Sequence, residues 1–143
     1  MSEDEVRAYL ADRKTMIVAT NGVRGLPHLM PLWYIPDGLE LRGWTFAKSQ
    51  KAKNLERDPR ATLQVEDGVE YHELRGVMLE CDVELIRDTE RVADIGAELV
   101  DRYAGGGEEA KAAFRAQAPK RVGLRFSPTR VVSWDHRKLG GAY

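Results

Sequence analysis

A chain of 143 residues, 43% hydrophobic and 31% charged, suits one domain with a single core and is too short for a multidomain enzyme. Its 22 Lys and Arg against 23 Asp and Glu leave a formal charge of −1, so no general field draws it to nucleic acid or to an anionic membrane, and an anion needs a local patch. The longest apolar run, Leu29 to Ile35, is far below the roughly 20 residues of a membrane span, the first residues are acidic, and Cys81 stands alone without a disulfide partner; a cytoplasmic protein is expected.

Ser2 followed by Glu5 makes a capping box, and Val6, Tyr9 and Leu10 then share one face of a short opening helix. Thr15 to Thr20 is a compact strand-like run, Asn21 to Gly25 is turn chemistry, and Pro27 to Ile35 is a second apolar run, so the three read as a hairpin. Pro31 has no N–H to donate and puts that second strand at an edge or a bulge. Pro36-Asp37-Gly38 turns the chain into a third strand, Leu39 to Phe46, expected to pair with the second.

Ser49 to Arg57 reads as a short helix closed ahead of Pro59. Ala61, Leu63 and Val65 alternate with polar residues, as a half-buried strand does. From Arg75 to Leu85 the apolar Val77, Leu79, Cys81, Val83 and Leu85 share one face while Glu80, Asp82 and Glu84 share the other, which predicts a long strand with one wet face. Asp88 caps a helix carrying Val92, Ile95, Leu99 and Tyr103, ended by Gly105-Gly106-Gly107, and a smaller helix spans Glu108 to Gln117. Val122, Leu124 and Phe126 form a last strand that Pro128 is expected to interrupt, with extended chain from Arg130 to Ser133 and a polar tail from Trp134 to Tyr143. Six short antiparallel strands with helices inserted late predict a mainly β fold with peripheral helices, its sheet closing into a small barrel that removes exposed edges.

One segment stands out against the neutral chain. Lys48 to Arg60 holds five basic and two acidic residues. With Ser49 as N-cap, the free N–H groups of the first helical turn and Lys51 face one point, which is how a phosphate is bound without a glycine-rich loop; the plainer account is a solvated helix with exposed lysines. His28, His72 and His136 are scattered without metal-ligand spacing, and no metal site is expected. No nucleophile elbow, Cys/His pair or catalytic carboxylate pair is present, so no side chain is named as catalyst and any chemistry falls to a bound cofactor. Trp134 opens the basic tail as a single anchor, and a neighbouring subunit is its expected dock.

Taken in order, Met16-Ile-Val-Ala-Thr, Gly25-Leu-Pro-His-Leu-Met-Pro-Leu-Trp-Tyr, Gly43-Trp-Thr-Phe-Ala-Lys-Ser-Gln-Lys-Ala-Lys-Asn-Leu, Asp58-Pro-Arg, Leu74-Arg-Gly and Ser133-Trp-Asp make the chain similar to a known superfamily. It resembles the flavin-binding split β-barrel proteins that include pyridoxamine 5′-phosphate oxidase, and more closely their actinobacterial deazaflavin (coenzyme F-420)-dependent oxidoreductases. The resemblance implies a homodimer of six-stranded antiparallel split barrels with cofactor sites at the interface. It assigns Ser49 and Lys51 to the cofactor phosphate, with Thr45 and Lys48 of the same stretch beside them. His28, Met30, Pro31, Leu32 and Trp33 would run along the ring, Tyr71 would lie near the cofactor, and the tail from Trp134 would come from the partner. The implied activity is reduction of an unsaturated organic acceptor by reduced F-420. FMN in the same fold, or a non-catalytic carrier of deazaflavin or tetrapyrrole, are the alternatives, and the vitamin B6 substrate site of the oxidase is not recognisable.

Overall fold

The computed structural model describes residues 1–141, so Ala142 and Tyr143 of the predicted tail lie outside the described residues. In chain order it contains α1 (Glu3–Asp12), β1 (Thr15–Asn21), β2 (Pro27–Trp33), β3 (Ile35–Asp37), β4 (Glu40–Phe46), α2 (Gln50–Arg57), β5 (Arg60–Asp67), β6 (Arg75–Ile86), α3 (Thr89–Tyr103), α4 (Glu108–Arg115) and β7 (Arg121–Asp135). Short 3-10 turns occupy Tyr71–Glu73, Ala118–Lys120 and His136–Leu139. No described helix is long and apolar enough to cross a membrane.

The fold is mainly β with peripheral helices, as expected, but the sheet has seven strands rather than six, in the order β2-β1-β5-β6-β7-β4-β3. The extra strand arises at Tyr34. Its backbone N–H donates to the Tyr103 hydroxyl at 2.9 Å, and its carbonyl accepts from that hydroxyl at 2.7 Å, so a side chain of α3 takes the groups a neighbouring strand would have used. The apolar run is thereby cut into β2 and β3, which are the two ends of the sheet order. Successive pieces of one chain forming opposite edges require the sheet to curl back on itself. Gly43 marks where it does so: a Cβ there would sit 3.0 Å from the Trp33 carbonyl oxygen, so only glycine lets β4 pass this close to the end of β2.

The β1–β2 hairpin forms as predicted, with Pro31 opposite Ile17 on an edge strand where its missing N–H costs no ladder bond. The predicted partner of the third strand is corrected. β4 pairs with Ile35 alone of the predicted second strand, together with Pro36 and Asp37 of the predicted turn, and pairs along Leu41 to Phe46 with β7, because closure, not sequence adjacency, decides its neighbour. Pro128 does not interrupt the last strand either. The register against β6 shifts between Glu80 and Cys81, which leaves Thr129 as an additional residue whose hydroxyl donates to the Glu80 carbonyl at 3.2 Å.

Two apolar clusters result. Inward residues of the sheet, among them Met16, Val18, Leu63, Leu79, Leu124 and Phe126, bury against α1 and Leu55 of α2. Trp44, Ile86, Val92, Ile95 and Leu99 form a second layer between the outer face of β4 and α3. The predicted caps are formed: Ser2 and Glu5 make the reciprocal box, and the Asp88 carboxylate accepts from Arg91 N at 3.0 Å.

Candidate functional site

α2 enters from β4 through Ala47 and Lys48, and Ser49 caps it by accepting from Ala52 N at 3.1 Å. Lys51, Ala52, Asn54 and Leu55 fall on the face turned to the sheet, as their spacing over one and a half turns requires. Asn54 is fully buried and cross-links helix to sheet: its amide donates to the Thr20 hydroxyl at 3.1 Å and accepts from Gln50 Nε2 at 2.8 Å. The same face carries Lys51 inward. This corrects the expectation of an exposed lysine, because its side chain is only 5% exposed.

Lys51 Nζ donates to Thr45 Oγ1 at 3.4 Å, and Thr45 Oγ1 donates to Ser49 Oγ at 3.4 Å. Both bonds are long, and among the described residues no carboxylate offsets the ammonium: burial alone pushes the Lys51 pKa down from its ordinary value. A buried cation, two hydroxyls and a helix N-terminus therefore converge at one place. A bound anion there would supply the counter-charge that the chain does not. Lys48, one turn outside, is exposed.

His28 lies beyond the other flank of the helix. Its Nδ1 is buried without a hydrogen-bond partner among the described residues, and the ring lines a cavity of about 320 Å³ with Gln50, Asn54 and the turn Gly22 to Leu26. Further along β2, Met30 is 44% exposed, and Pro31, Leu32 and Trp33 form one wall of a second cavity, of about 310 Å³, closed by Trp44, Phe114 and Arg121. Three of those walls, Trp44, Phe114 and Arg121, together with Asn54, were not named as site residues from sequence. Asn54 had a usable signal, its i+3 offset from Lys51, which places both on one helical face. Arg121 had none, since its alternation with Val122 looks like an ordinary wet face.

The remaining predicted residues are not brought to this region of the chain. Tyr71 follows the end of β5 opposite to the one α2 leads into. Its ring meets His136 with centroids 4.7 Å apart, and its carbonyl lies 2.8 Å from His136 Nδ1. Trp134 belongs to β7, half-buried opposite Gly76, where a Cβ would run into the indole and into the Val65 carbonyl. The described part of the tail also packs on its own chain. Lys138 pairs with Glu5 at 2.6 Å and Arg137 with Asp135 at 2.6 Å, and the Lys138 hydrogen bond holds the Glu5 carboxyl down at about 2. The expectation that one subunit offers no seat for Trp134 is thus corrected: Gly76 supplies the space.

A further cavity, about 570 Å³ between Thr20, Arg60, Glu80 and Cys81, contains none of the predicted residues. Burial pushes the Cys81 thiol up to about 12, so it is protonated at neutral pH and no nucleophile. Among the described residues, no three His, Cys, Asp or Glu side chains are grouped to hold a metal.

The profile of the family described as pyridoxamine 5′-phosphate oxidase matches residues 2–135. Among solved structures, conserved hypothetical protein Rv2991 from Mycobacterium tuberculosis is 42% identical with a TM-score of 0.90, over 100% of this chain and 90% of that one. A protein named F-420 reductase is 24% identical with a TM-score of 0.71, over 88% of this chain and 94% of that one. HutZ, a heme storage protein from Vibrio cholerae, is 17% identical with a TM-score of 0.72, over 91% and 92%. The last two share the fold. Among curated proteins there is no match.

Proposed function

We propose, from the premise that the chain belongs to the pyridoxamine 5′-phosphate oxidase family, that it is a cytoplasmic F-420-dependent oxidoreductase that reduces an unsaturated organic acceptor. The observation that carries this reading is Lys51, a buried lysine beside Thr45 and Ser49 with no acid to neutralise it. A ribityl phosphate, which F-420 and FMN share, fits that need. Lys51 supplies the full charge, while the Ser49 and Thr45 hydroxyls complete the phosphate's hydrogen bonds. Exposed Lys48 at the rim favours F-420, whose acidic tail FMN lacks, and the likeness to an F-420 reductase points the same way.

The bound deazaflavin supplies a hydride; the chain's part is to hold and orient it. Backbone of the edge strand β2 from Met30 to Trp33 has one side unpaired and is available to the polar edge of a ring, with His28 at the near end.

A homodimer completes the reading. Paired residues across the sheet share a face, and on the outer one Ile17 stands between Pro31 and Gln64, followed by Met78 and Val132. Leu29, beside that row, is 56% exposed. A second copy laid on this largely apolar face would cover it, and would carry its own Tyr71 and Trp134 toward the α2 end of the first.

Titration with F-420 and with FMN, followed by ligand fluorescence, tests the assignment. Tight binding of F-420 and weak binding of FMN is expected; preference for FMN, or for haem over both, overturns it. Mixing a Lys51→Ala chain with a chain truncated before Trp134 tests the dimer. Restored activity in exchanged dimers is expected, and an inactive mixture with proven exchange excludes the shared site.

A further inference from the structure

Arg121, like Lys51, is pushed down by burial alone and has no acid partner among the described residues. Its guanidinium carbon stands 4.9 Å from the Trp44 ring centroid and 3.8 Å from that of Phe46, and its only described hydrogen bond runs from one terminal nitrogen to Gln117 Oε1 at 2.8 Å. The Nε–H is buried with no partner among the described residues. Most other arginines of the chain end on carboxylates, as Arg42 does on Glu98 at 2.7 Å, and half-buried Arg102 ends instead on the Ala11 and Leu10 carbonyls, so the under-satisfied guanidinium of Arg121 calls for a ligand.

This is not a second side of the phosphate site. On β4, Thr45 points inward to Lys51, whereas Trp44 and Phe46 alternate to the outer face, and Arg121 is the direct cross-strand partner of Phe46. The two cations therefore lie on opposite faces of the sheet and serve different anions. What surrounds Arg121 is flat. Trp33 stacks on Tyr103 with centroids 4.3 Å apart and planes within 6°, and Trp44 stacks on Phe114 at 5.8 Å and 11°. The cavity between these walls measures about 310 Å³, the small end of the range for small-molecule sites.

We infer that this cavity seats the acceptor and selects a flat, conjugated carboxylate of about two rings, its acid group on the Arg121 guanidinium and its body between Trp33 and Trp44. The inference rests on the proposed function for the word acceptor, because Pro31 to Trp33 are shared between this cavity and the strand assigned to the ring; the carboxylate site itself does not depend on it. Guanidinium is suited to the task, since it offers a planar donor edge to a carboxylate and stacks on aromatic faces at the same time.

Calorimetric titration of the full chain with 2-naphthoate, 2-naphthamide and inorganic phosphate tests it, with and without saturating F-420. The expected result is that naphthoate binds at least about tenfold tighter than the isosteric amide, a difference of about 1.4 kcal/mol. Phosphate should not displace it, and F-420 should leave it in place. Arg121→Gln should reduce naphthoate to the level of the amide, and Arg121→Lys should restore only part of the difference. Equal binding of acid and amide by the unaltered chain overturns the inference whether or not the variants fold. Displacement by F-420 also overturns it, because the guanidinium would then hold the coenzyme's own acids. Failure of F-420 to bind while naphthoate still discriminates would sink the proposed function and leave the carboxylate site standing.

Discussion

The two ends of the curled sheet treat charge in opposite ways. Where α1, the Tyr71 turn and the tail meet, one acid serves two cations: Asp67 receives Arg75 at 2.8 Å and Arg13 at 2.8 Å, with the Tyr9 hydroxyl donating to the same carboxylate at 3.2 Å. Both guanidiniums also lie over the Tyr9 ring, at 5.1 and 5.2 Å. Burial by itself would raise the Asp67 carboxyl, but the Arg75 hydrogen bond and the charges of Arg13 and Arg75 outweigh it and hold it below the usual carboxylate range. At the α2 end, Lys51 and Arg121 are desolvated with no acid beside them, and both are pushed down by burial alone. A closed network serves the fold, whereas an open one costs the fold something and is compensated by whatever anion it takes up.

The contrast can be broken first at the balanced end, where the largest effect is expected. Asp67→Asn leaves Arg75 without an acid and Arg13 with only Asp12 at 3.5 Å, and should lower unfolding free energy by about 2–3 kcal/mol in urea titrations, below the range for fully buried pairs because this one is partly exposed. Since the native carboxyl is held low, its contribution is present above the ordinary Asp value and is lost as pH falls below about 4. The Asp67→Asn chain should lack that part of the acid slope. An unchanged midpoint would mean that the arginines find other partners and that the network is decorative.

Lys51→Met should act in two directions. F-420 affinity should weaken by about 1.5–3 kcal/mol, the scale of a charged hydrogen bond. The unliganded chain should become more stable by about 1 kcal/mol, because an unpaired buried charge is replaced by an isosteric apolar chain. The pH dependence sharpens this. With the native lysine depressed, the unfolded chain binds the extra proton, so ligand-free stability should rise as pH climbs from the lowered value toward about 10.4, and the Lys51→Met chain should not show the rise. Lower ligand-free stability in Lys51→Met would show that the ammonium is matched after all.

Asn54→Ala should cost about 1–3 kcal/mol in urea by leaving the buried Thr20 hydroxyl without its donor. Cofactor affinity should fall with it, because α2 loses its tie to β1; intact affinity would separate helix docking from the site. The smallest effect belongs to Glu5→Gln, which removes the exposed pair with Lys138 and should leave the thermal midpoint at pH 7 within measurement scatter. A clear drop would make the tail a structural clasp.

Much of this was legible in the chain because it rests on local rules. Alternation placed Val77, Leu79 and Cys81 inward, and caps at Ser2, Ser49 and Asp88 set helix starts where side-chain oxygen meets free N–H. The positive segment at Ser49 was visible as charge against a neutral background. Lys51 was misjudged as exposed because a lysine's burial depends on what the helix packs against, and Leu55 and Asn54 take that face to the sheet. The seventh strand was missed because its cause is Tyr103, far away in sequence. Trp134 was left without a seat because only the β6–β7 register puts Gly76 opposite it.

By itself the sequence determined the repertoire: most strands and helices in their order, a capped basic helix, and an edge strand marked by Pro31. Those follow from period, capping and donor inventory, which act within a few residues. The tertiary structure decided which charges are matched. Closure of the sheet sets buried Lys51 and half-buried Arg121 against opposite faces of β4 and gives Arg13 and Arg75 a shared acid, and packing by distant segments leaves otherwise similar cations matched at one end and without a described acid at the other.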